Sequence, residues 1–352
     1  MMVKKSTKSN FKKYIYITLA IASLFIASAA WKIYEDVLSP NVNLTAGETA
    51  YLYVHTNQDF ETLTKDIEGK KVLRNLDALI RLIKLLGYES RIKPGKYKLT
   101  SDMGNLQIIK MIVAGKQEPF DINFKYAERK QDLAAFWGSQ LEADSNDILN
   151  MLNDSSFTSK FELTPDNIIT VFIPNKYNFY WNTSAFKLIN RMLDEYDHFW
   201  DSTRVNKANK LGLTKPQVSI FASIVQKETH NIDEMPIVAG VYYNRFKKGL
   251  LFQADPTIIY AMNDKTIRRV AGKMLDVESP YNTYKYKGLP PGPICVPSVQ
   301  AIDAVLNLKL HKYVYFCAKE DFSGYHNFAE TFAQHQINAQ KFQRELNKRG
   351  IR

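Results

Sequence analysis

The sequence is poor in the residues and motifs that bind metals and nucleotides. Its 352 residues include two cysteines and six histidines, with no CxxC pair and no HExxH motif, which argues against a zinc site. The chain has no glycine-rich phosphate loop and no GxSxG motif. Nucleotide and serine-hydrolase chemistry are therefore poorly supported, and we expect neither a metal nor another cofactor.

The two cysteines leave the question of a disulfide open. Cys295 and Cys317 are 22 residues apart, in a region that the charge pattern discussed next places outside the cytoplasm, where a disulfide is allowed. Each also adjoins an apolar segment and is compatible with a small buried residue.

One long apolar run interrupts a composition that is otherwise ordinary for a globular protein, with 45% hydrophobic and 24% charged residues. Residues 14–31 carry no charge and are about long enough to cross a bilayer as a helix. The preceding tail, residues 1–13, has no acidic residue and contains Lys4, Lys5, Lys8, Lys12 and Lys13. By the positive-inside rule the tail stays in the cytoplasm and the rest is exported.

The alternative to a membrane anchor is a cleaved signal peptide, because Ala27-Ser28-Ala29 loosely fits a cleavage site. We favour the anchor, since the apolar run is longer than a typical signal core and Trp31-Lys32 is typical of an interfacial boundary. The tail supplies +5 of the formal charge of +11, so the remainder carries +6. That excess suits an anionic cell-wall surface and is too small to indicate nucleic acid.

Beyond the anchor, strands and helices mix without regular βαβ alternation, which predicts an α+β fold. A chain of this length can hold two modest domains. We place a small β-α-α-β module at 32–116 and a mixed α+β domain at 117–352. The predicted module has a strand at 49–55, helices at about 57–68 and 73–86, a strand through Tyr97 and Leu99, and a helix from Asn105 to Val113. In the second domain we expect a strand at FDINFKY (120–126) and another at 170–175, and helices at 128–152 and 185–209.

The segment FASIVQKETH (221–230) places an acidic residue on a helix that is otherwise apolar. Thr214 and Gln217 fit a capping box with Pro216 in the first turn, and the apolar residues that follow recur at spacings of three and four. Glu228 then projects from the edge of the apolar stripe, where partial desolvation would raise its pKa and suit a general acid. The alternative is a solvated or lysine-paired glutamate at a helix end.

Polar and aromatic residues downstream are candidates to bind a saccharide. Asp255 is predicted to cap the helix that begins at Pro256, and an N-cap can also face a cleft. Gln253 could bond an N-acetyl group or a sugar hydroxyl. Asn244 is a further candidate, and Arg245 is a candidate to brace Asp255.

Tyr281, Asn282 and Tyr284 lie in a loop that prolines stiffen on both sides. Aromatic faces and an amide suit a sugar ring, although tyrosines also fill cores. The stiff GLPPGP turn that follows is predicted to support this loop.

Several motifs occur together in a fixed order: FASIVQKETH, VYYNRF, QADPT (253–257), SPYNTY (279–284) and GLPPGPI (288–294), preceded by VFIPNKYNFYW (171–181). In this order and spacing the chain resembles the YceG-like (MltG) endolytic murein transglycosylases over nearly its whole length beyond the anchor. The resemblance implies that Glu228 is the catalytic acid. Many relatives carry a second glutamate where this chain has Gln226, which we interpret as a supporting position.

The same resemblance implies further features. The module at 32–116 would be LysM-like, although it could equally position the enzyme without binding sugar, and His326 would belong to a His-x-Phe motif of the site. The substrate would be peptidoglycan glycan strands, cut between N-acetylmuramic acid and N-acetylglucosamine to leave 1,6-anhydro ends. The protein would lie in the cytoplasmic membrane as a single-pass protein with its catalytic domain outside, with peptidoglycan synthases as candidate partners.

Two other functions stay open on the sequence. A muramidase would need a second carboxylate opposite Glu228, with Asp255 and Glu234 as candidates. A wall-binding scaffold that cuts nothing would use only the anchor, the module and the positive charge.

Overall fold

The apolar run near the N-terminus forms the first helix of the structure. The computed structural model describes residues 6–264, 266–267 and 269–350. Helix α1 spans Ser6–Val37, and its segment Phe11–Val37 is long and apolar enough to cross a membrane. Lys4 and Lys5 of the predicted basic tail lie outside the described residues.

The chain divides into two compact units, one formed by the residues up to Phe120 with Asn178–Asn182, the other by Asp121–Tyr177 with the residues from Thr183 onward. The domain boundary at 116/117 stays a prediction. In the first unit, α1 is followed by β1 (Thr49–Val54), α2 (Phe60–Lys70), α3 (Leu76–Leu85), β2 (Gly95–Thr100) and α4 (Asn105–Ala114). The predicted β-α-α-β order and the helix after it are confirmed.

Strands β1 and β2 form an antiparallel pair with Leu52 opposite Tyr97. Both side chains are buried and join α3 and α4 in one core. Gly115 is the C-cap of helix α4, and its φ of 72° is a left-handed conformation that glycine adopts without strain. The likeness of this unit to a LysM module stays a prediction.

The end of α1 is part of the first unit's fold. Val37 packs against the core, Asp36 pairs with Arg81 at 3.3 Å, and the Asn105 side chain donates to the Asp36 carbonyl at 2.8 Å. The helix therefore passes into the folded unit through ordered contacts at its last turn.

The second unit is dominated by helices. Most of strand β3 (Phe120–Phe124) and the first three residues of β4 (Asn175–Phe179) belong to it, and these two strands pair. Strand β5 (Tyr315–Ala318) pairs antiparallel with β6 (His326–Ala329). The helices are α5 (Lys130–Gln140), α6 (Ser145–Asn153), α7 (Ser155–Thr158), α8 (Ala185–Phe199), α9 (Ser202–Leu211), α10 (Lys215–Glu228), α11 (Met235–Lys247), α12 (Asp255–Met262), α13 (Val299–Leu306) and α14 (Phe332–Lys348). Helices with small two-stranded sheets confirm the α+β class.

Three of the predicted elements in this unit were wrong in detail. The helical stretch expected at 128–152 is two helices, α5 and α6, because the Asp144 carboxylate caps α6 by accepting from the Asn146 N–H at 2.7 Å. The strand expected at 170–175 lies later, at β4, where Tyr177 and Phe179 are buried and Lys176 and Asn178 are exposed, the alternation of a half-buried strand. The helix expected over 185–209 is two helices, because the Asp201 carboxylate caps a new helix by accepting from the Arg204 N–H at 2.8 Å.

Helix α10 lies at the centre of the second unit and packs against α11 and α13. Its residues 218–225 are all buried. Phe221 contacts Phe246 of α11 and Phe252 of the following loop, with ring centroids 6.3 and 5.4 Å away. This core fixes the position of the helix end that carries Glu228.

Candidate active site

Helix α10 delivers Glu228 as its last residue. The predicted capping box is confirmed: the Gln217 N–H donates to the Thr214 hydroxyl at 3.3 Å, and the Gln217 side chain accepts from the Thr214 N–H at 2.9 Å. Glu228 itself is partly buried. At a helix C-terminus the unpaired carbonyls disfavour a nearby negative charge. The helix end alone therefore disfavours the ionised form of the Glu228 carboxyl.

The surroundings of Glu228 keep its carboxyl protonated at higher pH than usual. Burial raises its pKa to about 7, and the nearby charge of Asp255 acts in the same direction. The Tyr242 hydroxyl, which donates to Oε1 at 2.6 Å, acts in the opposite direction. A carboxyl with a pKa near 7 can give and take a proton at neutral pH.

A cleft of about 330 Å³ opens at Glu228. It is lined by Glu228, Tyr242, Arg245, Phe252, Gln253, Asp255, Tyr284, Tyr315, Phe316 and His335. The structure thus brings together four of the residues singled out in the sequence as catalytic or substrate-binding, namely Glu228, Gln253, Asp255 and Tyr284.

Asp255 and Tyr284 form a hydrogen-bonded pair in the cleft, with the tyrosine hydroxyl donating to Oδ1. Asp255 is the first residue of α12 and Ala254 is its N-cap, so the predicted capping role was wrong by one residue. Among the residues that the structure describes, the Asp255 carboxylate makes no hydrogen bond to the helix backbone, and the residue is exposed, so it can contact a ligand.

Gln253 is held in a left-handed conformation with φ of 54°, which is uncommon for a residue other than glycine. Its N–H donates to the Thr283 carbonyl at 3.1 Å, and its side-chain oxygen accepts from Arg245 at 2.5 Å. The side-chain NH₂ has no acceptor within the described part of the chain and stays available to a ligand.

Arg245 organises the cleft by a different route from the one expected. We predicted that it braces Asp255, but its guanidinium donates to the carbonyls of Leu251 and Val314, at 2.8 and 2.7 Å, and to Gln253. Because all three nitrogens are used, Arg245 joins the loop before α12 to the segment before β5.

Four of the predicted binding residues do not line the cleft. Asn244 donates to the carbonyls of His311 and Tyr313, at 2.7 and 2.9 Å. Tyr281 packs on Tyr260, with ring centroids 4.8 Å apart.

The other two are Asn282 and His326. Asn282 is fully buried and donates to the carbonyls of Leu275 and Val277, at 2.9 and 2.8 Å, while its oxygen accepts from the Tyr284 N–H. His326 bonds Glu234, with Nδ1 2.7 Å from Oε2. The bonds of Asn282 therefore hold the backbone of Tyr284 in position, and Asn282 has a structural role in this loop.

Glu234, one of the two candidate second carboxylates, is only 3% exposed. It accepts from the His326 N–H at 2.8 Å and from the Thr229 hydroxyl at 3.2 Å. These bonds tie the residue after Glu228 to strand β6. Asp255 is thus the candidate that shares the cleft with Glu228.

Gln226 lies outside the cleft lining, and its side-chain oxygen accepts from the N–H of Ser298, the N-cap of α13, at 2.6 Å. A glutamate could accept the same bond. Cys295 and Cys317 are free thiols, and burial raises the pKa of Cys295 to about 12.

Sequence reasoning missed several cleft residues, above all Tyr242 and His335. Tyr242 stands inside the VYYNRF motif, so its presence in a motif was the available signal. His335 lies in α14, its ring stacks on Tyr315 at 5.3 Å, and burial and the charge of Arg245 lower its pKa. Nothing in the local sequence of α14 pointed to the site.

Comparison with known proteins shows the family of this chain. The profile of the YceG-like family matches residues 52–341. The chain belongs to the YceG-like family. The match covers Glu228 and every residue of the cleft.

Individual relatives of this YceG-like protein are distant. It is 25% identical over 325 residues to the endolytic murein transglycosylase of Bacillus subtilis, covering 88% of each chain. It is 32% identical over 149 residues to the protein of the same name from Streptococcus pneumoniae, a match that spans 27% of that longer protein. A crystal structure of a yceG-like protein from Listeria monocytogenes superposes with a TM-score of 0.54 at 25% identity, over 82% of this chain and 99% of that one.

Proposed function

We propose that this protein is an endolytic peptidoglycan transglycosylase in which Glu228 acts first as acid and then as base. Its relatives carry the name endolytic murein transglycosylase, and membership of their family supports a lytic transglycosylase that acts on peptidoglycan. The observation that carries the residue assignment is the Glu228 carboxyl, placed in an open cleft with a pKa of about 7.

The reaction needs one carboxyl group used twice. Protonated Glu228 gives its proton to the glycosidic oxygen as the bond from C1 of N-acetylmuramic acid to that oxygen breaks, which releases N-acetylglucosamine as the new end. The carboxylate then takes the proton of the muramyl C6 hydroxyl, whose oxygen closes onto C1. No water is consumed, and Glu228 returns to its protonated state with a 1,6-anhydro ring formed.

The remaining cleft residues would hold the sugars. Gln253 offers an NH₂ group, the paired Tyr284 and Asp255 offer an aromatic face and a carboxylate, and Tyr315 with Phe316 offers an apolar wall. Sugar rings combine apolar faces with a polar rim, so a mixed aromatic and amide lining fits them. No cofactor enters this scheme.

Hydrolysis is the second candidate, because Asp255 shares the cleft with Glu228. A muramidase would use Asp255 either to activate water or as a nucleophile. Tyr284 donates a hydrogen bond to Asp255, which orients that carboxyl group in the cleft. The products distinguish the two, since hydrolysis leaves reducing ends.

Helix α1 would place the enzyme at its substrate. As a single-pass anchor with the lysine-rich end in the cytoplasm, it would hold the cleft outside the cytoplasmic membrane. Strands newly polymerised at that membrane would be cut there, which would set their length, with synthases as neighbours.

The test is digestion of purified, uncrosslinked glycan strands by the full chain in detergent, with products read by mass spectrometry. We expect anhydromuramyl ends from the parent protein and from Glu330→Gln, which changes an exposed glutamate, and none from Glu228→Gln. Reducing ends would instead establish a muramidase. Intact strands under conditions where a known transglycosylase cuts would establish a non-cutting scaffold.

A further inference from the structure

The Tyr242 hydroxyl is hydrogen-bonded to the Glu228 carboxyl. Tyr242 is 2% exposed, and its ring packs between Phe252 and Phe316, with centroids 5.4 and 5.7 Å away. Its hydroxyl oxygen lies 2.6 Å from Glu228 Oε1. Within the described residues this is the only hydrogen bond that the Glu228 carboxyl makes, so one tyrosine determines how the carboxyl is oriented.

The direction of this bond follows from burial. Burial and the neighbouring Glu228 raise the pKa of Tyr242 well above its ordinary value, so the hydroxyl keeps its proton and donates it. Oε1 is then the accepting oxygen. When Glu228 is protonated, its own proton therefore belongs on Oε2, the oxygen that Tyr242 leaves free.

We propose that Tyr242 is a positioning residue that fixes Oε1 of Glu228 and thereby makes Oε2 the oxygen that gives and takes the proton in catalysis. The proposal rests on the proposed function of Glu228. One hydrogen bond would serve both halves of the reaction, because it prevents rotation of the carboxyl while its charge changes.

Titratable and charged groups from several elements also line the cleft at Glu228. A test of Tyr242 must leave these groups unchanged. They are Arg245 on α11, Asp255 on α12, Tyr284 in the loop after it, Tyr315 on β5 and His335 on α14. Among them, the charge of Asp255 raises the pKa of Glu228, whereas the Tyr242 bond lowers it. Removing only the Tyr242 hydroxyl leaves this set unchanged.

The decisive substitution is Tyr242→Phe, with Tyr243→Phe as the matched control. The phenyl ring keeps the packing on Phe252 and Phe316, so the variant removes one oxygen. Tyr243 lies next on the same helix and donates its hydroxyl to the Leu211 carbonyl at 3.1 Å, away from the cleft lining. Both variants lose the same group, but only one of them loses the bond to Glu228.

We expect kcat of Tyr242→Phe to fall about 10-fold or more, as reacting groups lose alignment. Loss of a donor to the charged carboxylate also moves the alkaline limb of kcat/KM up by about one pH unit. The assay measures release of anhydromuramyl ends from uncrosslinked strands by the full chain in detergent, between pH 5 and pH 9. Tyr243→Phe should match the parent in both respects.

A second measurement does not depend on activity. The infrared difference between the parent and Glu228→Gln isolates the protonated carbonyl band of Glu228, and its pH titration reports the same carboxyl. The frequency of that band and the midpoint of its pH titration should both change in Tyr242→Phe and should both be unchanged in Tyr243→Phe.

An unmoved band, or a loss of activity that is equal at every pH, would overturn the positioning role. Cutting by Glu228→Gln would instead refute the proposed function, while the band would still show whether Tyr242 holds the carboxyl.

Discussion

Glu228 should make the folded protein less stable as the pH rises. Its carboxyl has a pKa of 4.5 in an unfolded chain and about 7 in the folded protein. Between these values the folded state holds one more proton than the unfolded state, so the free energy of unfolding falls with rising pH. Each pH unit is worth about 1.4 kcal/mol, which gives a total loss of about 3 kcal/mol once the pH exceeds 7.

The substitution Glu228→Gln tests this reasoning. Glutamine keeps an oxygen for the Tyr242 hydroxyl but carries no charge to be desolvated. The stability of the variant relative to the parent should therefore rise by about 2 to 3 kcal/mol between pH 5 and pH 8.5. All other titrating groups are common to both proteins and cancel in the comparison.

Urea unfolding followed by fluorescence provides the measurement, because Trp137 and Trp200 are buried in the second unit. The control is Glu330→Gln, an exposed glutamate, whose stability relative to the parent should not change with pH. A constant difference between Glu228→Gln and the parent across this range would refute the raised pKa and with it the argument for a general acid.

Two further substitutions distinguish residues that act in the reaction from residues that support the fold. Asp255→Asn removes a charge that raises the pKa of Glu228, so the alkaline limb of kcat/KM should move to lower pH with cutting retained; complete loss of cutting would indicate the muramidase. Asn244→Ala should lower the free energy of unfolding by about 1 to 3 kcal/mol, because it leaves two carbonyls unpaired. A fully stable Asn244→Ala protein with a raised KM would show that Asn244 binds substrate.

The elements most accurately predicted were those that local chemistry specifies. The capping box at Thr214, the proline in the first turn and the apolar spacing up to Val225 all lie within helix α10 or next to it, so they are readable from the local sequence. The prediction of a single helix at 185–209 was wrong because Asp201 caps a second helix. The apolar periodicity of the segment does not reveal this N-cap.

By itself the sequence determined the apolar first helix, the α+β class, and the place of Glu228 at the end of a buried helix, since each depends on residues close together in the chain. Only the tertiary structure decided which polar groups face the cleft. Asn244 and Asn282 have amides suited to a sugar, yet both donate to backbone carbonyls instead. Asn244 bonds a segment that is distant in the chain, and Asn282 bonds the turn that precedes it. Tyr242 and His335 reach the cleft through packing between distant elements, because a hydrogen bond or a stacked ring depends on proximity in space, which local sequence does not encode.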